Sequence, residues 1–232
     1  MKKWVVCFLF VYLGYTSVLW AQAFQNLDFE DANLSPIPPG QYGGLVSIAD
    51  AFPYWTGYLG TNQVTQVLQN NFTLGNASID IFGPDLSTAS LLQGQYTLVL
   101  QAGQDPFRTF DINLINASLA QVGLVPANAK SIMLEAAGAG TNFTVSFAGQ
   151  TISLTPLGNG PNYTLFGGDI TSFTGQVGEL RLSTLSPSGP GVLLDAISFS
   201  TEAIPEPSAL GLVVAGVLGL FFSKRTHGKT VQ

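Results

Sequence analysis

The stretch "FTVSFAGQTISL", residues 143–154, contains one of the clearest folding signals in the chain. Apolar side chains occupy every second position from Phe143 to Phe147, and the alternation resumes at Ile152 and Leu154. A period of two places alternate side chains on the same face of a β-strand. The Ala-Gly-Gln triplet between the two runs offers a turn, so the stretch predicts a β-hairpin with one buried face.

Similar alternation recurs along the rest of the chain. It occurs at Ile79 and Ile81, at Tyr96, Leu98 and Leu100, at Leu180 and Leu182, and at Ile197 and Phe199. The stretch from Thr61 to Asn71 fits both a helical stripe and a strand, and its β-branched residues and asparagines favour the strand. With 26 glycines and 13 prolines in 232 residues, the pattern predicts an all-β protein. Many short strands are typical of a single β-sandwich, and we expect a jelly roll over residues 24–203.

Charged residues are few and unevenly distributed. Five of the eight basic residues lie near the two ends of the chain, so only Arg108, Lys130 and Arg181 remain in the body, which is strongly acidic. A protein that binds nucleic acid needs clustered Lys and Arg side chains to neutralise phosphates. The composition therefore excludes a nucleic-acid-binding body.

Residues 1–23, "MKKWVVCFLFVYLGYTSVLWAQA", have the three parts of a secretory signal peptide. Two lysines supply the positive start, an apolar segment follows, and Ala21 and Ala23 form the small-x-small pattern that signal peptidase requires. We expect cleavage after Ala23 and export, with an uncleaved anchor as the alternative. Cys7, the single cysteine, lies inside this segment, so the mature protein would contain no disulfide.

An apolar run of fourteen residues begins at Ala209 and lies just before the basic residues Lys224, Arg225 and Lys229. As a helix it would reach about 21 Å, which is shorter than a hydrocarbon core of about 30 Å. Flanking residues and snorkelling basic side chains extend that reach, so we expect a single transmembrane helix over about residues 208–223. Basic residues beyond the helix predict a cytoplasmic end by the positive-inside rule.

Residues 204–229 resemble the PEP-CTERM sorting tail of exported bacterial proteins. The tail combines Pro205, Glu206 and Pro207 with a short glycine-containing apolar helix and the basic end at residues 224–229. The resemblance implies that an exosortase, a membrane-embedded cysteine protease-transpeptidase, recognises the tail and cleaves near the Pro-Glu-Pro motif. The product would pass from an inner-membrane-anchored intermediate to the cell surface or an exopolysaccharide matrix. A permanent single-span anchor is the alternative.

Three stretches of the body resemble galactose-binding-like jelly rolls, a fold found in carbohydrate-binding modules. They are "FQNLDFEDANL" at residues 24–34, "FPYWTGYLG" at residues 52–60 and "GVLLDAISFS" at residues 191–200. The resemblance implies that the first stretch is the opening strand, that the second is an aromatic turn, and that the third is a closing strand lying against the first.

A structural calcium ion is also implied by this resemblance. Such modules often hold Ca²⁺ with an acid after the first-strand Phe and an acid in the last strand, which correspond here to Glu30 and Asp195. The closing strand of the family commonly carries two consecutive acids, whereas Ala196 follows here. From the residues alone, Asp28 lies close to Glu30 in an acidic body, and such hard oxygen donors suit Ca²⁺. The alternative for Asp195 is a set of hydrogen bonds from backbone N–H groups.

Tyr54, Trp55 and Tyr58 form an aromatic cluster that suits sugar binding, because the apolar face of a pyranose stacks on an aromatic ring. The alternative is that Trp55 fills the core, as aromatic residues in β-proteins commonly do. If the surface carries such a platform, the partner would be an extracellular polysaccharide.

Catalytic motifs are scarce. The single histidine, His227, lies in the basic tail, which excludes a Ser-His-Asp or Cys-His arrangement in the body. A pair of carboxylates, as glycosidases use, is the remaining route to catalysis. We therefore expect a non-catalytic structural or interaction module of the matrix, with a carbohydrate-binding module as the alternative and a carboxylate-based glycan-active enzyme as the third hypothesis.

Overall fold

The computed structural model describes residues 22–38, 41, 43–71, 73–84, 91–108, 113–138, 142–185 and 191–204. Most of the signal peptide, including Ala21, lies outside the described residues. So does the whole sorting tail after Ile204, with Pro205, Glu206, Pro207, Lys224, Arg225 and Lys229. Within the described ranges, no helix has the length and apolar character needed to cross a membrane.

The described body is an all-β protein, as the sequence predicts. Its helical elements are the four-residue α1 (Ile48–Ala51) and a short 3-10 helix at Thr171–Phe173. Its strands, in chain order, are β1 (Leu45–Ser47), β2 (Thr56–Leu59), β3 (Asn62–Val64), β4 (Gln66–Gln69), β5 (Ser78–Phe82), β6 (Thr97–Gln101), β7 (Gly103–Gln104), β8 (Leu114–Ile115), β9 (Ala117–Leu124), β10 (Ser131–Ala137), β11 (Phe143–Phe147), β12 (Gln150–Ile152), β13 (Leu154–Asn159), β14 (Thr164–Asp169), β15 (Val177–Thr184) and β16 (Val192–Ser200).

These strands form two main sheets and one small ribbon. The eight-stranded sheet has the order β1-β4-β5-β6-β16-β10-β14-β13, and the six-stranded sheet has the order β12-β11-β15-β9-β2-β3. The ribbon pairs β7 with β8. Pairings between these strands are antiparallel except for β4 with β5. Several of these pairings join segments that are distant in the sequence, and β16 at the end of the body pairs with β6 and β10 inside the eight-stranded sheet.

One hydrophobic core joins the two sheets. Alternate residues of β11 point into it, and the rings of Phe143 on β11 and Phe166 on β14 meet edge to face with centroids 5.6 Å apart. The predicted hairpin is confirmed as β11 and β12, joined at Ala148 and Gly149, which both have positive φ (48° and 77°). Two such residues form the turn whose twist matches that of the flanking strands. The prediction of strands between Thr61 and Asn71 is also confirmed.

The segment at residues 24–34 is not the opening strand that the resemblance implied. Asn26 and Phe29 have φ values of 49° and 61°, and these left-handed conformations interrupt an extended ladder. The resulting turns direct Phe29 into the core, where it is fully buried. The segment nevertheless lies against the closing strand, because the backbone N–H of Ile197 donates to the carbonyl of Leu27 (3.0 Å).

The outer face of the eight-stranded sheet carries a second, smaller apolar cluster. Phe82, Val99 and Leu91 are buried in it, and Leu193 of β16 packs against them. Leu91 belongs to the segment that leads into β6, so its contacts with Phe82 and Val99 pack this segment against the outer face of the sheet. A sheet face that would otherwise meet solvent is thereby covered near the closing strand.

The parallel pair β4–β5 depends on a buried carboxylate. Only residues 70–77 connect these strands, and the backbone N–H of Asn71 donates to Asp80 Oδ2 (3.1 Å) where the connection begins. Asp80 is 2% exposed, and its Oδ1 has no hydrogen-bond partner among the described residues. Burial raises the pKa of Asp80 from 3.8 to about 8, and hydrogen bonds from backbone N–H groups oppose this shift.

This raised pKa predicts how the Asp80→Asn substitution depends on pH. Asp80 binds its proton more tightly in the folded than in the unfolded protein. Protonated Asp80 therefore makes its full contribution to the free energy of unfolding below about pH 4, and this contribution is lost as the pH rises through about 8. Asparagine does not ionise, so the free energy of unfolding of Asp80→Asn should not fall in this way. We expect the difference in this free energy, variant minus wild type, to increase by about 2–4 kcal/mol from pH 5 to pH 8. Urea unfolding at both pH values measures the difference.

Asp169→Asn is the matched control. Asp169 is exposed and accepts hydrogen bonds from the backbone and the hydroxyl of Thr171, which lower its pKa. Because its pKa is lowered from the ordinary value, Asp169 is ionised in both the folded and the unfolded protein across this range, so the stability difference between this variant and wild type should be the same at pH 5 and pH 8. Equal pH profiles for Asp80→Asn and wild type would contradict the role assigned to Asp80.

Candidate functional site

A β-bulge in the closing strand positions Asp195. The register between β10 and β16 shifts between Met133 and Glu135, and Ala196 has a φ of 48°. Such a bulge re-aims the neighbouring side chains. Asp195 points away from the core-facing Leu194, toward the covered outer face of the sheet, and is fully buried.

Both oxygens of Asp195 accept hydrogen bonds. Oδ1 accepts from the backbone N–H of Ala196 (2.7 Å), whereas Oδ2 accepts from the hydroxyl of Thr97 (2.9 Å) and the backbone N–H of Gln93 (3.3 Å). The Thr97 hydroxyl in turn accepts from the backbone N–H of Leu92 (3.0 Å). These contacts attach residues 91–97, which we call the acid-held loop, to the closing strand.

Glu30 holds the same loop from the N-terminal segment. Its Oε1 accepts from the backbone N–H groups of Gln95 (2.9 Å) and Tyr96 (3.1 Å). Gly94 has a φ of 62°, and a Cβ atom at this position would lie 2.1 Å from Glu30 Oε1. The positive φ favours glycine here, and a side chain at this position would force the Glu30 carboxylate to move.

The two carboxylates influence each other electrostatically. Burial is the main cause that raises the pKa of Asp195 to about 7, and the charge of Glu30 contributes in the same direction. The hydrogen bonds from Ala196, Thr97 and Gln93 oppose the shift. The structure therefore brings Glu30 and Asp195 together, although 164 residues separate them in the chain.

Asp28, the third predicted calcium ligand, is exposed, and its Oδ1 accepts only a long hydrogen bond from the backbone N–H of Glu30 (3.4 Å). Across the described part of the chain, no group of three His, Cys, Asp or Glu residues is arranged to hold a metal ion. The groups that face Asp195 and Glu30 Oε1 are N–H and O–H donors, which repel a cation. This arrangement corresponds to the hydrogen-bonded alternative for Asp195, and calcium binding by Glu30 and Asp195 stays a prediction.

The three aromatic candidates do not form one platform. Trp55 is buried, its Nε1 donates to the carbonyl of Asn26 (2.9 Å), and its ring centroid lies 5.7 Å from that of Phe29. Tyr54 is 58% exposed in the turn before β2. Tyr58 lies on the outward face of β2, where its neighbours belong to β9 and β15 rather than to the aromatic turn.

Arg181 of β15 completes a polar surface with Tyr58. Its guanidinium lies over the Tyr58 ring, with Cζ 4.4 Å from the centroid. It also forms two hydrogen bonds with Glu179 (Nε–Oε1 2.8 Å and Nη2–Oε2 3.2 Å), and Nη1 donates to Ser118 Oγ (2.9 Å). A guanidinium held at so many points is pre-organised. We call these four residues the Tyr58–Arg181 surface.

Arg181 and Glu179 were not among the site residues predicted from the sequence. A signal was available, since Arg181 is one of only three basic residues in the body and Glu179 lies two positions away, on the same face of a strand. Tyr58 and Arg181 become neighbours only through the pairing of β2 and β15 with β9, which the sequence does not reveal.

A carboxylate pair is present but enclosed. Glu135 of β10 lies directly opposite Asp195 in the β10–β16 ladder and is 9% exposed. Burial raises the pKa of Glu135, and a hydrogen bond with the Tyr163 side chain opposes this shift. Neither carboxylate lines the cavities of about 410, 400 and 780 Å³ formed by described residues.

Comparison with known proteins adds no relative. No family model matches the chain, and no curated protein matches its sequence. The functional proposals below therefore depend on the residues of this chain, namely the acid-held loop, the Tyr58–Arg181 surface and the patterns at the two chain ends.

The hydrogen bonds of Asp195 predict the effect of the Asp195→Asn substitution. The amide retains one acceptor oxygen, but its NH₂ group replaces the other. The donors that faced that oxygen lose their acceptor, which lowers the free energy of unfolding by about 1–3 kcal/mol. We expect amide exchange at Gln93 and Ala196 to accelerate by about tenfold or more, measured by hydrogen–deuterium exchange. Asp28→Asn is the control and should leave these amides unchanged.

A calcium titration separates the two interpretations of this site. The hydrogen-bonded arrangement predicts the same melting temperature in EDTA and in millimolar Ca²⁺. A rise with Ca²⁺ in wild type that is absent in Asp195→Asn would show that the carboxylates coordinate the cation, and would contradict the placement of the N–H groups described above.

Proposed function

We propose that this chain is an exported bacterial protein of the cell surface or exopolysaccharide matrix, sorted by an exosortase. The observation that carries the proposal is the sequence order Pro205-Glu206-Pro207, apolar run and basic end, combined with the signal-peptide pattern at residues 1–23. In this proposal the apolar run at about residues 208–223 anchors the intermediate in the inner membrane. Cleavage near the motif then releases the body.

The packing of the body supports a boundary at this motif. Ile204 Cδ1 lies so close to Gly167 of β14 that a Cβ atom there would be 2.4 Å away. The folded contacts thus reach the residue before Pro205, and cleavage at the motif would leave the body intact. The only cysteine lies in the signal peptide, so the stability of the body outside the cell does not depend on disulfide formation.

We further propose that the body is a jelly roll that acts as a non-catalytic interaction module. Two features support this: the two sheets share one core, and the closing strand β16 lies beside the N-terminal segment. The second candidate function is carbohydrate binding. It is favoured by the Tyr58–Arg181 surface, because a guanidinium fixed over an aromatic ring can donate to the hydroxyl groups of a sugar that contacts the rest of the ring.

The sorting proposal predicts that the tail is sufficient for processing. Residues 201–232 fused to an unrelated exported domain should direct that domain to the surface or medium in a bacterium that has an exosortase, and should leave it in the membrane of an isogenic strain that lacks the enzyme. Immunoblots of the fractions measure the distribution. Glu206→Gln should cause membrane retention, whereas Glu202→Gln, a matched acid outside the motif, should not.

Membrane retention of the wild-type fusion in both strains would contradict the sorting proposal and would indicate a permanent anchor. The fusion must still be exported in the strain that lacks the exosortase. Its cleaved signal peptide, detected by mass, is therefore the control for export.

The carbohydrate-binding candidate predicts that Tyr58→Ala weakens glycan binding. Removal of the ring deletes the stacking surface and releases the guanidinium of Arg181, so we expect about a tenfold loss in affinity for a neutral matrix polysaccharide, measured by calorimetry. Tyr54→Ala removes an exposed tyrosine elsewhere and should have no effect. Equal binding by wild type and Tyr58→Ala would exclude this surface as the sugar site.

A further inference from the structure

A cavity of about 400 Å³ opens where the parallel pairing of β4 and β5 is incomplete. The ladder joins Leu68 with Asp80 and Gln69 with Ile81. The positions just before these pairs have no partner in this ladder and line the cavity instead; they are residues 66–67 of β4 and residues 78–79 of β5. The gap lies near one edge of the eight-stranded sheet, between β5 and the edge strand pair β1–β4.

Apolar side chains from both main sheets form the wall of this cavity. Leu59 and Val64 come from the six-stranded sheet, and Val67 and Ile79 come from the eight-stranded sheet. None of the described residues that line the cavity carries a charge. This neutrality is notable in a strongly acidic body and favours an uncharged occupant, because a charged one would lose hydration without gaining a partner.

Two of the polar groups that line the cavity already satisfy one another. The hydroxyl of Thr73 donates to the carbonyl of Asn76 (2.6 Å) and lies 3.1 Å from Ser78 Oγ. The other polar side chains of the lining, Gln63, Thr65 and Gln66, are exposed to solvent. A buried water needs two to four polar partners. Water beside Thr73 and Ser78 is therefore poorly held, and an apolar molecule that displaces it gains affinity.

Two large apolar side chains stand exposed at the rim. Leu45 is 62% exposed and Phe107 is 59% exposed. The backbone at Phe107 is held by its N–H donating to Asp105 Oδ1 (2.9 Å), and Asp105 is itself buried and lies 3.5 Å from the Arg108 guanidinium. The aromatic ring is thus presented by a fixed turn at the mouth of an apolar cavity.

We propose that this cavity binds an uncharged apolar molecule, aromatic or aliphatic, whose outer end packs against Phe107 and Leu45. Its volume lies within the range of about 300–1,000 Å³ that is usual for small-ligand sites. The proposal goes beyond the sorting and matrix function, because it involves neither the tail nor the Tyr58–Arg181 surface.

Fluorescence titration of the purified body with the neutral probe N-phenyl-1-naphthylamine tests this site. We expect saturable one-to-one binding that weakens about tenfold in Phe107→Ala, which removes the aromatic rim, and in Ala77→Leu, which fills the cavity. Val122→Ala is the matched control, because Val122 is 64% exposed on the outward face of the other sheet. It should bind the probe like wild type.

The anionic relative of the probe, 1-anilinonaphthalene-8-sulfonate, tests the neutrality of the ligand. It should bind at least about tenfold more weakly, because no described residue of the lining carries a positive charge and the guanidinium of the neighbouring Arg108 is paired with Asp105. Equal binding of the two probes would overturn the assignment of ligand class. Non-saturable binding, or binding that Phe107→Ala does not weaken, would overturn the site itself. Phe107 lies at the exposed rim, so this variant remains informative even if Ala77→Leu does not fold.

Discussion

The buried carboxylate of Asp195 is the contact on which the outer face of the eight-stranded sheet depends. It lies on the closing strand, within that sheet, and accepts hydrogen bonds from Gln93 and Thr97 of the acid-held loop. Glu30 accepts from the middle of the loop and so attaches the N-terminal segment to the same unit. Leu91 at the start of the loop covers the outer apolar cluster. One end of the body is thereby joined to the other through a single loop.

The sequence predicted much of the fold because alternation reports directly on strands with one buried face. The hairpin at residues 143–154, the strands between Thr61 and Asn71 and the buried alternative for Trp55 all follow from local pattern. The left-handed backbone at Asn26 and Phe29 does not follow from a local pattern, because it depends on the burial of Phe29 in the core. The short parallel connection beside Asp80 likewise depends on tertiary contacts with no periodic signal.

The candidate sites divide in the same way. Glu30 and Asp195 could be paired from the family resemblance, but the bulge that aims Asp195 at the loop could not, since it depends on the register between β10 and β16. The Tyr58–Arg181 surface requires the pairing of three strands, and the apolar cavity requires knowledge of which positions of a ladder remain open. Sequence patterns predict where strands lie but not which strands pair with one another. Surfaces formed by residues of several strands therefore cannot be predicted from these patterns.

The proposed export signal and removable membrane tail, on either side of a β body without cysteine, would suit a protein that functions outside the cell. The intact mass of the protein recovered from the surface and medium of its native host tests this account most directly. The account predicts the loss of residues 1–23 and of everything after about Pro207. Retention of residues 210–232 in the surface pool would contradict it and would show that the tail is a permanent anchor.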